Sequence, residues 1–401
     1  MLKFEIKKVF LKARNKVALL ALFIILLVVS MLSVNRVEYV DENGNSSTGI
    51  AAARKLREEK NQWSGYLTED VFRQVYRERN QIRSTETDGS IEAENRTYHD
   101  IQATEPITDL INNANSPWRD YNYYAVDSIS EENAAKVYEK RISSLEEWLD
   151  SGEEHFSDDE KRFLISRYEE LDTPFYYEYF DGWGALLQNL PTFLIILALF
   201  AGYFVSGIFS DEFQLKADAV FFSAKLGRSR AIRSKLCAGF LISTVIYGAF
   251  TVLHTAIVLL ALGAGGGNCP VQFLFWRCCS NITIFQAYLL IVAGGYIGTL
   301  FSCAAAMLVS VLTRSTVIAI IVPFVILCFF PFLSRIIPLP QICSFFPDRL
   351  MDIYNGLRDF ALVDVGGRIT TISSVILPVY AVVTAVLLPV VYRFFRKAEI
   401  R

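Results

Sequence analysis

Six long apolar runs without one Asp, Glu, Lys or Arg constrain this chain more than any other feature. They cover roughly residues 17–34, 185–209, 236–262, 282–313, 315–334 and 369–392. A charge-free run of about 18 or more residues is long enough to cross a bilayer as a helix. A single charge at mid-membrane costs about 2.5–3.5 kcal/mol, so its complete exclusion from six runs is a strong pattern. The mean composition says less: 52% hydrophobic residues is close to the ordinary range, and only their clustering decides the class. The first run follows a basic start, as a signal peptide would. Its apolar stretch is longer than the usual 7–15-residue core and no small-residue cleavage site follows, so a retained anchor is expected.

The flanks set the orientation. Lys3, Lys7, Lys8, Lys12, Arg14 and Lys16 precede the first run. Lys216, Lys225, Arg228, Arg230, Arg233 and Lys235 lie between the second and third. Arg314 sits between the fourth and fifth, and Arg393, Arg396, Lys397 and Arg401 close the chain. With six crossings all these segments fall on one side, which is expected to be cytoplasmic, as are both termini. The other connections are poorer in cations: Arg277 alone in 263–281, and four Arg in 335–368.

Residues 35–184 form the first outward connection and hold 17 Lys and Arg against 33 Asp and Glu. Such acidity is first a solvated surface on the outer side, and second a field that attracts cations or cationic peptides. Val71, Phe72, Val75, Tyr76 and Ile82 recur at helical spacing. Ser157-Asp158-Asp159-Glu160 has the form of a capping box ahead of Phe163 and Leu164. A further helix is expected from near Ser130 through Val137, Ile142, Leu145 and Trp148. No long alternating pattern suggests strands, and residues 85–125, rich in Asn, Thr, Ser and Pro, read as loops. Two aromatic groups stand out: Trp118, Tyr121, Tyr123 and Tyr124, then Phe175 through Trp183. The second directly precedes a span and reads as an interfacial belt. The expected fold class is thus an all-α membrane protein with six transmembrane helices and a mainly helical extracellular domain. Its parts are 1–34 (interfacial helix and first span), 35–184 (acidic domain) and 185–401 (five further spans).

Catalytic signatures are missing from the sequence. No Gly-Lys dipeptide offers a phosphate-binding loop, no His begins a zinc-protease pattern, and no C-x-x-C occurs. No cofactor, metal, catalytic residue or nucleic-acid partner is expected. Cys237, Cys303 and Cys328 read as small apolar residues. Cys269 could pair with Cys278 or Cys279 in an oxidising compartment, with Cys343 in the other outer loop. His254 is the one histidine in a span, and a packed or interfacial role fits it better than ion-coupled transport, which usually needs intramembrane charge. Gly294-x-x-x-Gly298 and Ala304–Ala306 permit close helix contact, within the subunit before between subunits. Pro323, Pro378 and Pro389 offer kinks.

The connection after the second run, 210–235, carries the most specific pattern. Asp211 and Glu212 close that run, Ala217–Ala224 follows, Gly227-Arg228-Ser229-Arg230 makes a small-residue basic turn, and Lys235 enters the third run. This resembles the ABC-2 family, the permease subunits of type-2 ATP-binding-cassette exporters. In that family an acidic residue, a short cytoplasmic helix and a basic turn stand in this order. Lys216-Ala217 replaces the Gly or Thr common there, and no Pro stands near Leu226-Gly227. The six-helix spacing and the large domain between the first and second spans resemble one subgroup of the family. The resemblance implies a bacterial cytoplasmic-membrane protein without enzymatic activity of its own. It would move a peptide, drug or lipid on ATP hydrolysed by a separate cytoplasmic ATPase subunit, with a second permease subunit completing the pore. The coupling residues would be Glu212, Val220, Phe221, Phe222, Lys225, Arg228 and Arg230, with Val220, Phe221 and Phe222 as apolar knobs. The same basic helix could instead lie flat on anionic lipid, and so could the start Phe4–Phe10. Two other readings are a membrane-anchored sensor with an external ligand-binding domain, and a secondary transporter or channel.

Overall fold

The computed structural model of the protein describes residues 1–84, 90–337 and 340–398. Among these, six helices are long and apolar enough to span a membrane, which makes the chain a multi-pass membrane protein. Span 1 is Ala13–Val34, span 2 Asp181–Gln214, span 3 Gly227–Leu262, span 4 Ile284–Thr313, span 5 Thr316–Leu333 and span 6 Ile372–Arg396. All basic connectors gather at one end of the bundle, the basic face. The described residues of 35–184 gather at the other, the domain face.

Span 2 is the bundle's axis: 67% of its most apolar window is buried by other helices, against 22% in spans 1, 5 and 6, which turn leucine, valine and phenylalanine outwards as lipid-facing helices do. Its 34 residues extend about 50 Å at 1.5 Å per residue, well beyond a hydrocarbon core of about 30 Å. Both its ends are therefore anchored in protein. Small residues let partners approach. At Gly202 a Cβ would overlap Pro323 of span 5, and at Gly295 it would stand 2.6 Å from the Tyr247 hydroxyl. Span 5 opens into a wide π-turn at Val325–Phe329 just after Pro323, where the missing amide disrupts the helical ladder.

The glycine pair in span 4 serves intrachain packing. A Cβ at Gly294 would overlap Ile353 and come 2.5 Å from the Leu350 carbonyl, and one at Gly298 would meet Met351 at 3.0 Å. Residues 347–356, a 3-10 turn (Pro347–Leu350) and a helical turn (Ile353–Gly356), therefore lie against the middle of span 4. The segment before span 6 thus dips back among spans 4, 5 and 6. Irregular backbone is tolerated at such depth only when protein surrounds it, and Leu350, Met351 and Ile353 are buried.

The domain is helical, as its periodicity requires. Glu69–Ser84 buries Phe72 and Val75, and Asp158–Glu169 begins in the complete Ser157–Glu160 capping box. Ser130 caps a short helix, Glu131–Ala135, which breaks at Lys136 before Val137–Ser151. The loops expected over 85–125 are corrected: Ile91–Ile101 and Glu105–Ala114 are helices, while 85–89 lie outside the described residues. Ile107, Leu110 and Ile111 supply the buried stripe, and Gln102, Thr108 and Asn112 are buried beside it. Strands of two or three residues pair as hairpins, and Gly65–Tyr66 joins Tyr176–Tyr177 to close the domain's two ends.

The aromatic belt is also corrected. Phe175, Tyr177 and Tyr179 are fully buried in protein, the first two against Phe273 of the loop after span 3. That loop and the segment before span 6 complete the domain: Trp118 stacks on Trp148 and on Phe360, at 5.5 and 5.9 Å. Arg141, wholly buried, donates to the carbonyls of Cys278 (3.2 Å) and Trp276 (3.4 Å), with Tyr168 over its guanidinium. Among the described residues no cysteine is in a disulfide, and Cys269 instead donates to the Glu178 carbonyl. His254 is packed: its Nδ1 meets Ser30 Oγ at 2.9 Å and its ring lies on Phe193.

Candidate functional site

On the basic face, helix Leu2–Phe10 lies across the ends of spans 2 and 3. Its inner side carries Val9 and Phe10, the latter against Phe204; its outer side leaves Leu2 and Phe4 exposed, as an interfacial helix would. Asn15 is buried and donates to the Val9 carbonyl, fixing the corner into span 1.

Beneath that helix lies a buried ionic cluster. Lys235, at 0% exposure, gives its three ammonium protons to Glu212 (2.8 Å), Glu5 (3.0 Å) and the Ile208 carbonyl (2.9 Å). Lys8 pairs with Glu212, and Lys12 with Asp211, where Arg14 also approaches. A buried ammonium is tolerable only when every proton is accepted and its charge is met, and both conditions hold. The end of span 2 is tied in turn to the span 4–5 hairpin. Ser210 donates its amide to Ser310 and its hydroxyl meets Thr316 at 2.7 Å. Arg314 makes that hairpin's turn with φ +56°.

The connection that follows contains a short helix, Asp218–Ser223, and a π-turn, Gly227–Ala231. The structure separates the seven residues singled out from the sequence. Glu212 is buried in the ionic cluster. Phe222 is buried and Phe221 half-buried. Both turn inwards onto Phe395 of span 6, at 5.2 and 5.6 Å, with Phe209 and Phe213 completing the aromatic cluster. Arg228 covers Phe222 at 4.5 Å and donates to the Arg396 carbonyl at 2.6 Å. Val220 is 74% exposed, and Lys225 and Arg230 are exposed beside it. Phe221 and Phe222 therefore hold the loop down, and Val220, Lys225 and Arg230 form the outward surface. Gly227 permits this, because a Cβ there would overlap the Phe221 carbonyl.

On the domain face a cleft of about 1110 Å³ runs between the domain and the span ends on that face. Glu105 and Asp109 of one helix line it, with Tyr121 and Tyr123 beside them. Lys60 and Asp181, paired at 2.7 Å, and Gln188 of span 2 mark its membrane end. Phe273 and Trp276 of the loop after span 3, and Arg277 and Arg358, complete it. Burial pushes the carboxyls of Glu105 and Asp109 above their ordinary values, and Glu105 is raised further by the charge on Asp109. Sequence reasoning noticed the acidity and the tyrosines but not the cleft, whose walls come from segments far apart in the chain, among them 105–123, 180–188, 272–277 and 355–359. The one available signal was Glu105 and Asp109 at i, i+4 in front of the tyrosine group.

No family model, no curated protein and no solved structure matches this chain. No cluster of metal-ligating residues is present among the described residues.

Proposed function

We propose that this chain is the membrane-spanning permease subunit of an ATP-binding-cassette exporter, with its basic face in the cytoplasm and its acidic domain outside. The observation that carries this reading is the mechanical joining of the 211–235 connection. Its short helix lies on the surface. Phe222 and Arg228 lock it to span 6, while Glu212 and Lys235 join spans 2 and 3 to the N-terminal helix. A push on the exposed Val220 surface therefore reaches several spans through contacts that resist bending. That is what a subunit without its own energy source needs in order to receive work from a partner ATPase. A second permease subunit would complete the pore.

The test uses exposed residues that the fold does not need. Val220→Asp with Lys225→Glu is expected to abolish copurification of a cytoplasmic ATPase subunit while leaving the thermal transition in place. Unchanged association of that subunit with the double variant would sink the docking site, and a labelling reporter at Lys225 reached from outside intact cells would sink the orientation. The sensor reading is favoured by one observation, the outer cleft. It predicts ligand binding with no ATP-dependent flux.

A further inference from the structure

One wall of the cleft carries two carboxylates, Glu105 and Asp109, while Arg36, Lys60, Asp181, Arg277, Arg358 and Asp359 line the rest of it. Glu105 and Asp109 stand one helical turn apart, where like charges repel. Among the described residues neither makes an ion pair; Asp109 receives only the Tyr121 hydroxyl, at 2.6 Å. The nearby Lys60 is already committed to Asp181. The cations acting on Asp109 are Lys60 and Arg79. The cleft's Arg277 is bound instead to the Trp118 carbonyl and stacks on that ring at 5.7 Å. The acids face an aromatic wall. Tyr121 and Tyr123 meet edge to face at 4.6 Å, and Phe180 packs on Phe273 at 5.2 Å. Behind that wall Tyr177 is wholly buried, its ring on Phe180 and Phe273. Its hydroxyl has no partner among the described residues, and Asp181 and Glu105 are charges that act on it.

Concave sites that hold small molecules combine an apolar wall with a few convergent polar groups, and aromatic faces beside carboxylates favour positive charge. We propose that this cleft binds a lipophilic cation. Its charge sits between Glu105, Asp109 and the rings of Tyr121 and Tyr123. Its apolar body lies on Phe273 and Trp276, and Gln188 marks the end facing the membrane. The volume suits a molecule of drug size. The inference deepens the permease reading by naming its substrate class. Binding is measured on the chain alone, so unchanged ATPase association of the Val220→Asp, Lys225→Glu variant would sink that reading without touching this one.

The experiment places the full chain in phosphatidylcholine nanodiscs and measures tetraphenylphosphonium binding by equilibrium dialysis, with tetraphenylborate as the anion of the same shape and empty nanodiscs subtracted. Saturable binding of the cation alone is expected, weakened at least tenfold by Glu105→Gln with Asp109→Asn and unchanged by the remote Glu169→Gln. Should the double variant fail to fold, Tyr123→Ala decides, because that ring is 71% exposed and its loss does not open the core. It is expected to weaken binding severalfold. Equal binding of the two ions, or undiminished cation binding in these cleft variants, overturns the proposal.

Discussion

Lys235 shows how much one side chain can settle. Its ammonium is wholly enclosed, and its removal strands two carboxylates, Glu212 and Glu5, with fewer cations than they need. Breaking a buried ion pair from one side typically costs about 3–5 kcal/mol. Lys235→Met is therefore expected to lower the thermal transition of the detergent-solubilised chain sharply. Adding Glu212→Gln should recover part of the loss, because the stranded charge is then gone. A double variant no better than the single one would mean that the three groups are not coupled. Gly227 is a different case, since no charge is involved. Gly227→Ala forces a methyl group into the Phe221 carbonyl, and overpacking of this kind costs about 1–3 kcal/mol. The loop should lift from Phe395, seen as faster trypsin cleavage at Lys225 and Arg230. Lys235 was legible in the sequence as a basic residue entering a span; its partner Glu5 was not, because 230 positions separate them.

At the scale of elements, span 4 and the returning segment 347–356 depend on each other. Gly294→Ala should displace Ile353 and Leu350 and lower the thermal transition, whereas Gly248→Ala in span 3, where no atom lies within 4 Å, should leave it unchanged or raise it slightly. Equal effects at the two glycines would show that the segment is not packed as described. The helices themselves were readable. Charge-free length gave the spans, the capping box gave Asp158–Glu169, and the Val71–Ile82 spacing gave Glu69–Ser84. Helices Ile91–Ile101 and Glu105–Ala114 were missed because composition, rich in Asn and Thr, outweighed a short buried stripe. The aromatic run before span 2 was misjudged for a related reason. An apolar ring at a span's edge looks the same in sequence whether lipid or another loop will cover it.

For the whole molecule, the domain is joined to the membrane part through the cleft and through Arg141. Replacing Arg141 by Met leaves the Trp276 carbonyl without a donor, leaves the Cys278 carbonyl with Gln272 alone, and removes a ring-stacked cation, a loss on the order of 2–3 kcal/mol. Faster proteolysis of the 263–283 connection is the expected readout. The cleft adds a pH dependence. Because burial raises the carboxyls of Glu105 and Asp109, the folded chain keeps protons there that the unfolded chain has already released. Stability should therefore fall as pH rises from the ordinary carboxylate range through the raised values, and recover on acidification. Glu105→Gln with Asp109→Asn should flatten that slope in thermal scans across pH; an unaltered slope would assign it to other groups. Sequence by itself determined the number of spans, the gathering of basic connectors on one face and the helical character of the domain. These follow from local properties: the cost of charge in lipid, and the period of a helix. Tertiary structure alone decided that Phe221 and Phe222 face inwards while Val220 faces out, that Glu5 meets Lys235, and that segments far apart in the chain enclose a cleft. Such matters depend on which surfaces meet across long stretches of chain, and no local pattern encodes a distance between residues that far apart.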